Sequence, residues 1–157
     1  MVDNFFEERK NIKQVEESNE LAPKFNNDGL IPVVTTDFKS GEVLMQGYMN
    51  EEAFTQTIKI GEAVYYSRSK KSLWHKGEKS GLKQIIKEIR IDDDQDCVWL
   101  KVDVVGGASC HVGYRSCFYR SVLYNKENNQ VTLKYEEKSK VFDPQKVYKD
   151  EPNPTKL

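Results

Sequence analysis

The sequence predicts an α+β fold, a single domain dominated by antiparallel sheet with few helices. Several short segments alternate apolar and polar residues, which is the pattern of half-buried strands. Turn residues separate these segments at hairpin spacing, and only one segment combines a helical apolar stripe with capping residues at both ends. The chain of 157 residues is long enough for one domain with a core of its own.

The predicted domain spans residues 25–136, between an N-terminal arm (1–24) and a C-terminal tail (137–157). The arm is polar and is predicted to be extended or partly helical. In the first predicted hairpin, residues 30–34 and 43–45 are strands and residues 39–41 form the turn.

The predicted helix follows this hairpin. Asn50 is a favourable N-cap, Glu51 and Glu52 lie in the first turn where the helix dipole favours acids, and Gly61 suits a left-handed C-cap. Residues 63–67 are then predicted to form a strand, and residues 67–81 are predicted to form an irregular, basic loop.

Two further hairpins complete the domain. The first is predicted to consist of strands at residues 83–91 and 97–105, with the acidic segment 92–96 as their connection. Ile85, Ile89 and Ile91 are expected on one face of its first strand. The second hairpin is predicted to be formed by segments within 115–124 and 130–135. The tail is expected to be loosely attached.

Charge and composition exclude some partners. The net charge is −1, which gives no electrostatic reason to expect nucleic acid. No apolar run approaches the roughly 20 residues of a membrane span. The charged N-terminus lacks a signal-peptide pattern, so a cytoplasmic location is expected. Three cysteines without a secretion signal favour metal-binding thiolates over disulfides.

Potential metal ligands are concentrated between residues 92 and 117. Cys110 and Cys117 are separated by six residues, and His111 follows the first of them. Thiolates beside an imidazole suit zinc, and Cys97 is the remaining thiol that could complete the site. The alternative interpretation is that these cysteines are small buried apolar residues.

Three alternating carboxylates, Asp92, Asp94 and Asp96, open the same stretch. If the backbone were extended there, all three would point to one side and would repel each other without a cation. Oxygen ligands of this kind select Mg²⁺ or Ca²⁺. The alternative is a solvated acidic turn.

The basic loop 67–81 mixes cations, hydroxyls and glycines. Its backbone amides, cations and serines could hold phosphate oxygens, and its tryptophan could cover a base. A solvated basic loop is the alternative interpretation. The candidate substrate-binding residues are Arg68, Ser69, Trp74, Lys76, Gly77, Glu78 and Ser80.

Three segments, GEVLMQGYMNEEAF, YYSRSKKSLWHKGEKSG and GGASCHVGYRSCFYR, together resemble the phosphoribosyl-AMP cyclohydrolase family of histidine biosynthesis. The resemblance implies an intertwined homodimer with active sites at the subunit interface. It also implies hydrolysis of phosphoribosyl-AMP between N1 and C6 of the adenine ring, which gives the phosphoribosyl-formimino-aminoimidazole carboxamide ribonucleotide. The implied cofactors are a zinc ion held by three cysteines and a magnesium ion at Asp92, Asp94 and Asp96.

The sequence departs from the family pattern D-C-D-x-D at one position. Asp93 stands where the family has a zinc-binding cysteine, and Cys97 lies four residues further on. Either Cys97 supplies the third thiolate or Asp93 binds zinc through oxygen. We favour Cys97, because a soft ligand set holds zinc without competing for magnesium.

The expected chemistry assigns roles to three more residues. A zinc ion with three protein ligands can lower the pKa of a bound water to about 7. His111 is the candidate for proton transfer to N1, with His75 as the second candidate. Because this substrate carries two phosphate groups, Arg115 is a further anion ligand.

Two alternative functions stay open. A zinc-dependent nucleotide deaminase would release ammonia, whereas ring opening keeps every nitrogen in the product. A non-catalytic zinc-binding interaction module would have a closed site of four protein ligands.

Overall fold

The computed structural model describes residues 4–157 of the chain. Within them, the helices are α1 (Ile12–Glu17), α2 (Glu51–Ile60) and α3 (Pro144–Tyr148). The strands are β1 (Ile31–Asp37), β2 (Val43–Met49), β3 (Val64–Ser67), β4 (Ser72–His75), β5 (Gln84–Ile91), β6 (Val98–Val104), β7 (Arg120–Asn125) and β8 (Gln130–Tyr135).

A four-stranded sheet in the order β2-β1-β6-β5 forms the centre of the fold. The pairs β1–β2 and β5–β6 are antiparallel, whereas β1 and β6 run parallel. Two antiparallel hairpins, β3–β4 and β7–β8, lie outside this sheet. The predicted α+β class with mostly antiparallel sheet is therefore confirmed.

The core lies between the central sheet and α2. The buried faces of β1 and β6 contribute Val33 and Leu100, and α2 contributes Phe54. This helix begins and ends as predicted, because the Asn50 side chain accepts the Ala53 N–H at 2.8 Å and Gly61 has φ 70°.

Two predicted details are wrong. The loop 67–81 contains β4, which pairs residue by residue with β3 as a hairpin, and its short apolar signal is masked by flanking lysines. In β5, a register shift between Ile86 and Glu88 reverses the faces, because a bulge adds one unpaired residue. Consequently Ile86, not Ile85, packs on the core with Ile89 and Ile91.

The two ends of the chain contact the domain. In the arm, Phe6 packs against Phe54 with ring centroids 5.2 Å apart. In the tail, the Val141 N–H donates to the Gly113 carbonyl at 2.7 Å, although most tail residues are exposed. Within residues 4–157, no helix has both the length and the apolar character needed to cross a membrane.

The β7–β8 hairpin packs poorly within its own chain. Every residue of β8 is exposed, and so are most residues of β7. A two-stranded hairpin alone in water is marginally stable at best. The exposed apolar side chains of the hairpin are Val122, Leu123, Tyr124, Val131, Leu133 and Tyr135.

Candidate functional site

A tight loop brings Cys110 and Cys117 together. The Cys110 N–H donates to the Tyr114 carbonyl at 3.2 Å, and the Gly113 N–H donates back to the Cys110 carbonyl at 3.0 Å. The Cys117 N–H donates to the Leu44 carbonyl at 2.7 Å, which fixes the end of the loop on β2. The two sulfur atoms are consequently hydrogen-bonded to each other.

This thiol pair, Cys110 and Cys117, holds one proton between two sulfurs. The hydrogen bond from Cys117 lowers the pKa of Cys110 to about 6, and the same hydrogen bond raises the pKa of Cys117. Cys110 is therefore the thiolate at neutral pH. Two adjacent sulfur donors, one already ionised, are the soft ligands that zinc prefers, and they fit two positions of such a site.

A buried polar chain supports the thiol pair from the core. The Gln84 Nε2 donates to Ser109 Oγ at 3.2 Å, and Tyr65 Oη donates to Gln84 Oε1 at 2.6 Å. Thr35 and Tyr65 share a third hydrogen bond of 2.7 Å. Since Gln84 and Thr35 are fully buried, these bonds fix the position of Ser109 next to Cys110.

A cavity of about 560 Å³ opens beside the thiol pair. The β3–β4 hairpin and the loop after it form one wall, the segment 109–117 forms the second, and the tail forms the third. The predicted site residues that line it are Trp74, His75, Lys76, Gly77, Glu78, Ser80, His111 and Cys117.

His111 presents an unpaired nitrogen within this site. Its Nε2 atom is buried and has no hydrogen-bond partner. Burial lowers the pKa of His111 and the nearby Lys76 lowers it further, while a hydrogen bond that the ring donates to Asn153 opposes the shift. The imidazole is thus neutral at pH 7 and able to accept a proton. His75 differs, because its Nε2 is already 2.6 Å from Glu62 Oε2.

The carboxylates of Asp92, Asp94 and Asp96 converge at the β5–β6 connection. Their ligand oxygens lie within 4.8 Å of one another. The backbone is a turn, as expected for the predicted hairpin connection, since the Gln95 N–H donates to the Asp92 carbonyl at 3.1 Å and Gln95 has φ 57°. The hydrogen bond with Asp94 and the nearby Asp92 raise the pKa of Asp96 to about 6. This crowding of negative charge suits a hard cation such as Mg²⁺.

The comparisons with known proteins identify the family of this chain. A family model described as phosphoribosyl-AMP cyclohydrolase matches residues 45–119, which include the thiol pair, His111 and the three aspartates. A protein of that name from Rhodopseudomonas palustris strain TIE-1 is 52% identical over 134 residues, which are 85% of this chain and 88% of the relative. The chain belongs to the phosphoribosyl-AMP cyclohydrolase family.

Other relatives of the same name extend the comparison. The cyclohydrolase of Nitrobacter winogradskyi is 47% identical over 140 residues, or 89% of this chain and 95% of the relative. That of Desulforapulum autotrophicum is 53% identical over 121 residues, or 77% of this chain and 92% of the relative. The resemblance carried by the three sequence segments is confirmed.

Three predicted substrate-binding residues lie outside the cavity of this cyclohydrolase family member. The guanidinium of Arg68 stacks 4.2 Å from the centre of the Tyr48 ring. Ser69 Oγ lies 3.4 Å from Ser67 Oγ. Arg115 forms a 2.6 Å ion pair with Glu42. Within the described residues, these three side chains therefore contact neighbouring side chains and do not line the cavity.

The structure gives Gly77 a backbone role in addition. Its φ of 86° belongs to the left-handed region, and a side chain there would collide with the backbone of Lys83. Any larger residue would push the cavity loop away from β5.

Sequence reasoning missed Gln95, the residue inside the aspartate turn. Its Oε1 accepts the Ala22 N–H at 2.8 Å, and its Nε2 donates to the Val15 carbonyl at 2.9 Å. The side chain is 5% exposed. It ties the N-terminal arm to the turn, and the only sequence signal was an uncharged residue within an acidic run.

The three predicted zinc ligands do not come together within residues 4–157 of one chain. Cys97 precedes β6 and Cys110 follows it, and a strand of this length spans roughly 20 Å. Among residues 4–157, the only group of three or more potential ligands that comes together is Asp92, Asp94 and Asp96. Neither Cys97 nor Asp93 is grouped with the thiol pair.

Proposed function

We propose that the chain hydrolyses phosphoribosyl-AMP between N1 and C6 of the adenine ring, as a step of histidine biosynthesis. The observation that carries this proposal is the 52% identity, over 85% of the chain, to a protein named for the reaction. The product is the phosphoribosyl-formimino-aminoimidazole carboxamide ribonucleotide.

The residues of the cavity suit this reaction. Trp74 offers an aromatic surface for the purine, and exposed lysines at the rim, such as Lys79, offer charge for phosphate groups. His111, neutral at pH 7 and with Nε2 unpaired, can take a proton and deliver it to N1 as the N1–C6 bond breaks.

The thiol pair is the proposed zinc site. Cys110 and Cys117 supply two ligands, and Cys97 or Asp93 supplies the third. When bound, a zinc ion would provide a water of lowered pKa for attack at C6. We favour Cys97 over Asp93, because a soft thiolate ligand holds zinc without competing for magnesium.

Magnesium is the proposed ion for Asp92, Asp94 and Asp96. Three oxygen donors within 4.8 Å provide the hard ligand set that this ion requires. Because this cluster adjoins Cys97, the two proposed metals would lie near each other in the assembled enzyme.

The same geometry supports a homodimer. The strand β6 separates Cys97 from the thiol pair within one chain, so a second copy would supply the third zinc ligand. The exposed apolar side chains of β7 and β8 supply a surface for that copy. The assembly is proposed to be intertwined, and the enzyme to act in the cytoplasm.

Turnover of authentic phosphoribosyl-AMP tests the proposed function. Purified protein supplied with zinc and magnesium should add one water to the substrate, retain every nitrogen and release no ammonia. Mass spectrometry of the product, together with an ammonia assay, measures both. Ammonia release would instead support a nucleotide deaminase. Binding of zinc by a folded protein that leaves the substrate intact would support a non-catalytic module and refute the proposal.

A further inference from the structure

Lys76 occupies an unusual position at the base of the cavity. It follows β4, and its backbone N–H donates to the Ala63 carbonyl at 3.1 Å. The residue is only 2% exposed, although its ammonium carries a charge. Its Nζ lies 5.3 Å from the centre of the Trp74 ring, and it lines the cavity together with His111 and Cys117.

Within the described part of the chain, no carboxylate balances this buried charge. None of the ion pairs found within residues 4–157 involves the Lys76 ammonium. Burial lowers the pKa of Lys76, and the nearby sulfurs of Cys117 and Cys110 raise it. A buried cation needs an opposite charge, and the thiol pair is the one that these contacts provide.

A zinc site with two thiolates and a third anionic ligand carries one more negative charge than the metal neutralises. We propose that the Lys76 ammonium is the counter-cation of this site, and that it stabilises zinc binding by cancelling the excess charge. The proposal rests on the proposed zinc site. It makes Lys76 a positioning residue for the metal, in contrast to the phosphate-binding role predicted from sequence.

The burial of Lys76 separates it from the cavity's other lysines. The Lys79 side chain is 73% exposed and pairs with Glu151, as suits a group at the rim that meets a hydrated phosphate. Lys76 is buried instead and lines the cavity together with Cys117, where a charge is little screened by salt. Its contribution should therefore concern the metal and should persist at high ionic strength.

The test measures the zinc dissociation constant by competition with a chromophoric chelator at low and high salt. Lys76→Met removes the charge and keeps an apolar side chain of similar length, whereas Lys76→Arg keeps the charge. Lys87→Met is the matched control, because it removes an exposed lysine of β5 that contacts Phe38. Circular dichroism of the metal-free variants checks that each is folded, and Lys76→Gln replaces Lys76→Met if that variant is not.

Lys76→Met should weaken zinc binding by about tenfold or more at both salt concentrations, since charges at this depth interact strongly. Lys76→Arg should restore most of the affinity, and Lys87→Met should match the wild type. Unchanged zinc affinity in folded Lys76→Met, with a raised KM for phosphoribosyl-AMP, would overturn the proposal and leave the proposed function intact. A wild-type protein that binds no zinc would overturn this proposal together with the proposed zinc site.

Discussion

Replacing Gln95 should reveal how much the aspartate turn depends on the N-terminal arm. Gln95→Ala leaves two buried backbone groups, the Ala22 N–H and the Val15 carbonyl, without their partners. Each such loss costs about 1–2 kcal/mol, so the free energy of unfolding should fall by about 2–4 kcal/mol. Because the turn is then less constrained, magnesium binding should weaken as well.

A second substitution at this position separates hydrogen bonding from backbone strain. Gln95 has φ 57°, which costs a non-glycine residue about 1 kcal/mol or more. Gln95→Gly loses the same hydrogen bonds but relieves this strain, so it should be about 1 kcal/mol more stable than Gln95→Ala.

Urea denaturation of the metal-free protein measures these differences. Gln46→Ala is the control, because that exposed side chain donates only to the neighbouring Gly47 carbonyl. It should change the free energy of unfolding by no more than about 0.5 kcal/mol. A loss below about 1 kcal/mol for Gln95→Ala would refute the view that this side chain holds the turn to the arm.

The remaining predictions concern the two metal sites and proton transfer. Cys97→Ala should lose zinc and turnover together, whereas Asp93→Ala should keep zinc and alter the response to magnesium; full zinc content in Cys97→Ala would make Asp93 the ligand. Asp96 has a folded pKa of about 6, above its ordinary value, so the native state holds the extra proton and metal-free protein should lose stability as pH rises from 4 to 6. Urea midpoints should show this slope reduced in Asp96→Asn, and an unchanged slope would contradict the assignment. His111→Gln should lower kcat by about 100-fold or more with folding preserved, whereas His75→Gln should affect it less; the reverse order would transfer the proton role to His75.

Local sequence signals were sufficient where one segment determines its own structure. Asn50 and Gly61 define α2 because capping depends on residues next to the helix. The alternation of Val98, Leu100 and Val102 determines the buried face of β6 in the same way.

Features that depend on distant parts of the chain could not be predicted. The bulge in β5 depends on pairing with β6, so the apolar pattern alone assigned Ile85 to the wrong face. The contact of Gln95 with Val15 joins residues 80 positions apart. The burial of Lys76 likewise depends on the tertiary arrangement of the cavity, and a lysine within a basic loop gives no signal of it.

The cysteine and aspartate patterns identified the chemistry but not its assembly. Sequence spacing brought Cys97, Cys110 and Cys117 into one predicted site, because a one-dimensional pattern does not include the length of β6. The structure separates Cys97 from the other two by that strand. In our proposal, a second copy of the chain brings the third zinc ligand to the thiol pair.

Mixing two inactive variants tests most directly whether one active site needs the thiol pair of one subunit and the acidic turn of another. Cys110→Ser removes a thiol ligand, and Asp94→Asn removes a carboxylate from the turn. After co-refolding, each mixed dimer has one site with both halves intact, so the mixture should regain about a quarter of wild-type activity. If mixed dimers form, as differential tags can establish, and the mixture stays as inactive as either variant alone, the shared-site account is wrong.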